Sequence, residues 1–167
     1  MTATIRSAYQ MWPQYNRRLR DVIAALTDEQ LAIRPTPDLM PIWAVVGHTA
    51  AVRVFWLCEV VGEPGAETTP FWEDGSTIDW ADDLDHPRSA GELAAGLDST
   101  FAIVEACLDR WTTDTLTDEV QRPDGGSVHT RSSVLQRLLT HDAWHAAELS
   151  RTLGIHGLPQ IDLWRSD

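Results

Sequence analysis

"LLTHDAWHAAELSRTLG", Leu138–Gly154, decides how the chain is read. It reads as the end of a helix that starts near Ser132. Val134, Leu138, His141, His145 and then Glu148 or Leu149 follow spacings of three and four, so they share one face. A bundle helix carries leucine-like residues on that face, yet two imidazoles stand in the middle of it.

Imidazoles at i and i+4 on a helix point the same way and can share one cation. The pair alone is a weak signal, because surface histidines and singly hydrogen-bonded core histidines produce it too. His48 strengthens it. That residue sits in "VVGHTAAVRVFW", with Ala44, Ala51 and Phe55 on the same side. The surrounding segment, Ile42–Gly62, is apolar nearly all round and reads as a buried helix, with Gly62 as its stop. Three neutral imidazoles facing one another with no shared partner are costly to bury. A divalent metal resolves that cost, and three protein ligands leave coordination positions open, as in catalytic sites.

Around these two helices the chain reads as a bundle. Ile5, Tyr9, Trp12, Asn16, Leu19, Ile23 and Leu26 form one stripe, so a helix kinked at Pro13 is expected over roughly Thr4–Leu26. "TDEQ", Thr27–Gln30, is a capping box that opens a short turn. The three prolines of Arg34–Pro41 make a loop. About 25 residues up to Pro87 form a long connection, in which Trp72 and Trp80 should pack down. "SAGE", Ser89–Glu92, caps a third helix with Leu93, Leu97, Val104, Leu108 and Trp111 on its stripe. "RPDGGS", Arg122–Ser127, suits a small hairpin turn. The tail Gly154–Trp164 looks ordered. The reading is all-α: four helices of ~20 residues, each ~30 Å long, form a four-helix bundle. The crossover between the second and third can leave those two parallel. There are no repeats or linkers, so one domain over residues 1–167 is expected.

The totals narrow the function. Among 167 residues the net charge is −12, and all 13 basic residues are arginine. "NRRLR", Asn16–Arg20, is the one basic cluster and falls on the outside of a helix, which disfavours nucleic acid. The absence of lysine excludes Schiff-base chemistry and a Walker-type phosphate loop. No signal pattern or bilayer-length apolar run stands out, so a cytoplasmic protein is expected. Cys58 and Cys107 fall in apolar helical segments and read as buried free thiols. The eight tryptophans read as core and loop-packing residues. His86 and His156 read as structural or solvent-exposed. His129, just before the last helix, is open between a structural and a site role.

"PIWAVVGHTAAVRVFW", with a tryptophan five residues before the histidine, and "VLQRLLTHDAWHAAELSRTLG" resemble the DinB/YfiT-like superfamily of metal-binding bundles, as do "YNRRL" and "LPQIDLW". The resemblance covers nearly the whole chain and implies an up-down-down-up four-helix bundle with His48, His141 and His145 as ligands of a divalent ion, commonly zinc or nickel. Where many members have glycine in the sequence after the last ligand, this chain has Ala147 in "HAAE". Relatives transfer or add low-molecular-weight thiols of the mycothiol or bacillithiol type, and one branch isomerises maleylpyruvate with such a thiol. The expectation is therefore a metal-dependent enzyme adding a thiol to an electrophilic small molecule, with a homodimer possible and no membrane partner. Its alternatives are a hydrolase using the same site and a non-catalytic metal-binding bundle. Glu148, Asn16 and Asp142 are candidates to support the site, and Glu59 is a further carboxylate that could instead pair with an arginine.

Overall fold

A computed structural model of the chain describes residues 3–164. It is mostly helical. The long helices are α1 (Trp12–Ala24), α3 (Ile42–Val54), α4 (Ala90–Arg110) and α5 (Arg131–Ile155), and a single turn, α2, covers Asp28–Leu31. Helix α4 packs broadly on both α1 and α3, and α3 packs on α5. Their apolar faces merge into one core cluster that includes Trp12, Leu19, Ile23, Val46, Leu97, Val104 and Leu138.

The first helix differs from the expectation. Ile5–Tyr9 is a separate 3₁₀ turn, and α1 starts only at Trp12 with Pro13 in its first turn. A proline there loses no hydrogen bond, because the first helical N–H groups have no partner anyway. Pro13 therefore starts a helix instead of kinking one. The apolar spacing continues across the break because both pieces lie on the same core. The 3₁₀ turn is tied to the end of α4: Ile5 N donates to Trp111 O at 3.0 Å, and the Arg6 guanidinium pairs with Asp109.

The expected caps are present. Thr27 and Gln30 exchange the two bonds of a capping box, as do Ser89 and Glu92. Thr130 caps α5 in the same way through Ser133. These bonds satisfy helix-terminal N–H groups that would otherwise lack partners.

Helix α3 is buried on nearly every side and continues as a π-helical stretch, Phe55–Val60. The whole run, Ile42–Val60, has a mean hydropathy of 1.2 and is 72% buried inside the fold, which makes it a core helix. It ends at Gly62, whose φ of +84° suits glycine, where Glu63 N closes back onto Leu57 O at 2.8 Å.

The long connection does pack down. It carries a small hairpin, β1 (Trp72–Glu73) with β2 (Ser76–Thr77), followed by a 3₁₀ turn at Trp80–Asp82. Phe71 and Trp80 are buried and meet with ring centroids 4.5 Å apart and planes tilted by 45°. Two helix glycines make room for them. A Cβ at Gly47 would lie 3.0 Å from the Trp80 Cβ, and one at Gly96 would lie 3.1 Å from the Phe71 ring. Among the described residues no arginine pairs with Glu59; its carboxylate accepts the Thr77 backbone N–H and so pins the hairpin to the π-helical stretch. The hairpin expected around Arg122–Ser127 forms as β3 (Glu119–Gln121) against β4 (Val128–Thr130). In the tail, Ile161 is buried and exchanges two bonds with the Ser150 hydroxyl.

Trp12, Trp43, Trp56, Trp80 and Trp111 are buried, whereas Trp144 and Trp164 stand in solvent at 71% and 79% exposure. Cys58 and Cys107 are free, and burial pushes their thiols up to about 11 and about 12. Both are therefore protonated near neutrality and poor nucleophiles.

Candidate metal centre

Helix α3 supplies His48 and α5 supplies His141 and His145, and the packing of the two helices brings the three rings together. Ring centroids are 5.0 Å apart for His48 and His141, 5.3 Å for His48 and His145, and 4.4 Å for His141 and His145. One nitrogen from each ring lies within 4.8 Å of the other two, and the Nε2 atoms of His48 and His141 are 3.2 Å apart.

Carboxylates hold the outward side of two rings. The Nδ1 of His48 lies 2.6 Å from Asp79 Oδ2, and the Nδ1 of His145 lies 2.9 Å from Glu148 Oε2. A carboxylate can only accept, so each Nδ1 carries its hydrogen and leaves the Nε2 lone pair free. The His141 Nδ1 is buried with no partner among the described residues. Burial, the neighbouring His145 and then His48 push the His141 imidazole down to about 3. The hydrogen bond that His48 donates to Asp79 instead raises His48 above its ordinary value.

This donor set fits a divalent cation. Tetrahedral Zn–N bonds of about 2.0–2.1 Å place ligand nitrogens about 3.3 Å apart, close to the 3.2 Å found between His48 and His141. Carboxylate backing of a ligand histidine fixes its tautomer and raises its basicity. Asp79 and Glu148 also bring two negative charges, which match a dication.

The acid dependence of such a site follows from His48. Its pKa lies above the usual 6.5, so below that value the ring carries a second proton and cannot donate a lone pair. His141 is already neutral well below pH 7. Zinc affinity should therefore fall as pH drops through the His48 pKa, because a proton on His48 competes with the cation. Competition with a chromogenic chelator between pH 8 and pH 5.5 measures this. A flat profile would mean that His48 is not a ligand.

Of the other expected residues, the structure brings only Glu148 to the cluster. Asp142 is buried and turned the other way. Trp12 Nε1 donates to its Oδ2 at 2.7 Å, while Arg53 Nε and Nη2 reach its two oxygens at 3.2 and 2.9 Å. Arg53 is 1% exposed, lies over the Phe101 ring and also donates to Leu97 O at 3.2 Å. Asp142 is thus half of a buried ion pair joining α3 to α5. Asn16 is also buried and shares a small cavity with Arg53 and Asp142, where its Oδ1 has no partner among the described residues. It makes no bond to the histidines. His86 pairs with Asp83 in solvent, and His156 donates to Thr152 O. His129 stands edge-on to Trp56 at 4.8 Å.

Asp79 is the residue that the sequence reading missed. Its signal was indirect: Trp80 had to pack down somewhere, and it packs on Gly47, so the Asp79–Trp80 pair lies against Gly47–His48.

A mostly helical fold with three histidines converging between two helices has a donor set that could hold a metal ion. The chain belongs to the DinB superfamily, whose family model matches residues 14–149. Its fold is similar to that of a DinB-like protein from Bacillus cereus ATCC 10987 (TM-score 0.70, 24% identity, 96% of this chain and 97% of that one). It is also similar to a DinB-like protein from Bacillus subtilis (TM-score 0.60, 15% identity, 92% and 93%). A comparison with curated proteins finds no match.

Proposed function

We propose that the chain is a single-domain bundle of up-down-down-up topology that holds a divalent ion, zinc or nickel, on His48, His141 and His145. We propose further that it joins a low-molecular-weight thiol to an electrophilic small molecule. The observation that carries this reading is the convergence of three imidazoles, two of them backed by carboxylates. A bound divalent ion supplies Lewis acidity, which favours thiolate over thiol at neutral pH. Asp79 and Glu148 keep His48 and His145 in one tautomer and orientation. Glu148 is partly exposed and next to the cluster, and we assign it the proton released by an incoming thiol. Cys58 and Cys107 take no part, because burial keeps both protonated.

The test uses untagged full-length protein, metal-stripped and then reloaded with zinc or nickel. Mycothiol and 1-chloro-2,4-dinitrobenzene are the first substrates: a carbon–sulfur bond forms and chloride leaves. Turnover is expected with metal, none is expected after chelation, and the double variant C58S/C107S should retain it. Loss of activity in that variant would point to covalent catalysis by the protein itself. Cleavage of esters or amides with no thiol transfer would replace this reading with a hydrolase.

A further inference from the structure

Beside His141 a surface groove of about 450 Å³ runs along α5, walled by His129, Ser133, Arg137, Thr140, His141 and Trp144. The chain carries 25 acidic residues and a net charge of −12, yet no Asp or Glu lines this groove. Arg137 is the full positive charge in its wall. Its guanidinium carbon lies 4.7 Å from the centre of the buried Trp56 ring, which His129 flanks edge-on. A cation–π contact of this kind anchors a guanidinium over a ring face while leaving N–H groups available to a ligand. Arg6, Arg20, Arg53, Arg88, Arg110, Arg122 and Arg131 each pair with a carboxylate, whereas among the described residues none pairs with Arg137. The hydroxyls of Ser133 and Thr140 are engaged by Thr130 O and Gln136 O at 2.9 and 2.7 Å. Among the described residues Arg137 is therefore the groove's uncommitted cationic donor, beside the side-chain amide of Gln136.

Ser133, Arg137 and His141 stand at i, i+4 and i+8, one above another on one helix face. Arg137 and His141 are thus four residues apart, about 6 Å along the axis. Trp144 extends the same wall past His141 as an exposed apolar surface. We propose that this groove is a carboxylate subsite: Arg137, held on Trp56, binds the anionic end of a small reactant whose other end lies at the histidine cluster. A single guanidinium matches one carboxylate in charge and in fork geometry. The subsite is read from the groove itself, and only the identity of the reacting group rests on the thiol reading above. The carboxylate could belong to the thiol or to the electrophile.

The experiment uses the full chain in two arms. In the first, ¹⁵N-labelled, metal-stripped protein is titrated with propionate and, separately, with its uncharged analogue propionamide. Propionate should shift the Arg137 Nε–H and Trp56 Nε1–H signals to saturation, and propionamide should not. Arg137→Met should abolish the response, Arg137→Lys should retain part of it, and Arg151→Met, elsewhere on α5, should leave it intact. In the second arm, cobalt-loaded protein binds 3-mercaptopropionate or 2-mercaptoethanol, read by the cobalt absorption spectrum. Preference of about tenfold for the carboxylated thiol, lost in Arg137→Met, places the carboxylate on the thiol. Equal binding of the two thiols, with propionate still titrating Arg137, places it on the electrophile. Signals that propionate leaves unmoved, or that propionamide moves equally, overturn the subsite. If neither thiol perturbs cobalt while propionate titrates Arg137, the thiol reading falls and the subsite stands.

Discussion

His145→Ala is expected to abolish stoichiometric zinc binding and leave the helical circular dichroism nearly unchanged. His145 supplies one of three donors and is partly buried, while Val134, Leu138 and Leu149 on the same helix keep their core contacts. Two imidazoles on two different helices cannot hold a tetrahedral ion tightly without the third. Asp79→Ala and Glu148→Ala remove only the backing of a ligand, so each should weaken zinc by about 10–100-fold. His86→Ala and His156→Ala should leave metal content unchanged, since neither ring is in the cluster. Metal analysis of the untagged proteins after dialysis decides the matter. Equal loss in all five variants would show that the cluster is not where the metal binds.

Arg53→Met should be the most destabilising single change at the buried polar centre. It would leave the Asp142 carboxylate in the interior with only Trp12 Nε1 as a partner. Breaking a buried pair by removing one partner costs about 3–5 kcal/mol, equivalent to roughly 6–20 °C in Tm for a domain of this size. The double variant Arg53→Met with Asp142→Leu should lose less than Arg53→Met alone, because no unpaired charge remains. Urea unfolding of the metal-free proteins measures both. A cost below about 1 kcal/mol for Arg53→Met would mean that water reaches Asp142.

The sequence made the three clustered histidines legible because each stood where a helix stripe demanded something apolar. His141 and His145 interrupt a leucine-like face, and His48 interrupts a helix that is apolar on every side. Glu148 was legible for the same local reason, one turn past His145. Asp79 was not, because it reaches His48 across 31 residues of connection with no periodic pattern. Arg53 left a trace that was not followed: one cation in an all-apolar helix must find a buried acid, and Asp142 was available. Asn16 was correctly seen as out of place in its stripe, but it lies beside that ion pair and not beside the histidines. The break before Trp12 was hidden because the apolar spacing runs through it. The π-helical turn at Phe55–Val60 likewise leaves no mark on composition. Caps and the second hairpin were legible because their signals are confined to a few neighbouring residues.

Asp79 uses both of its oxygens. One receives the Ala81 N–H at 2.9 Å and shapes the turn that carries Trp80; the other holds the His48 ring. A single side chain therefore belongs to two equilibria, the folding of the 63–88 connection and the filling of the histidine cluster. Free energies coupled in this way are reciprocal. A cation on His48 would slow amide exchange around Ala81, and opening of the connection would raise the dissociation constant by the factor by which the cation disfavours that opening.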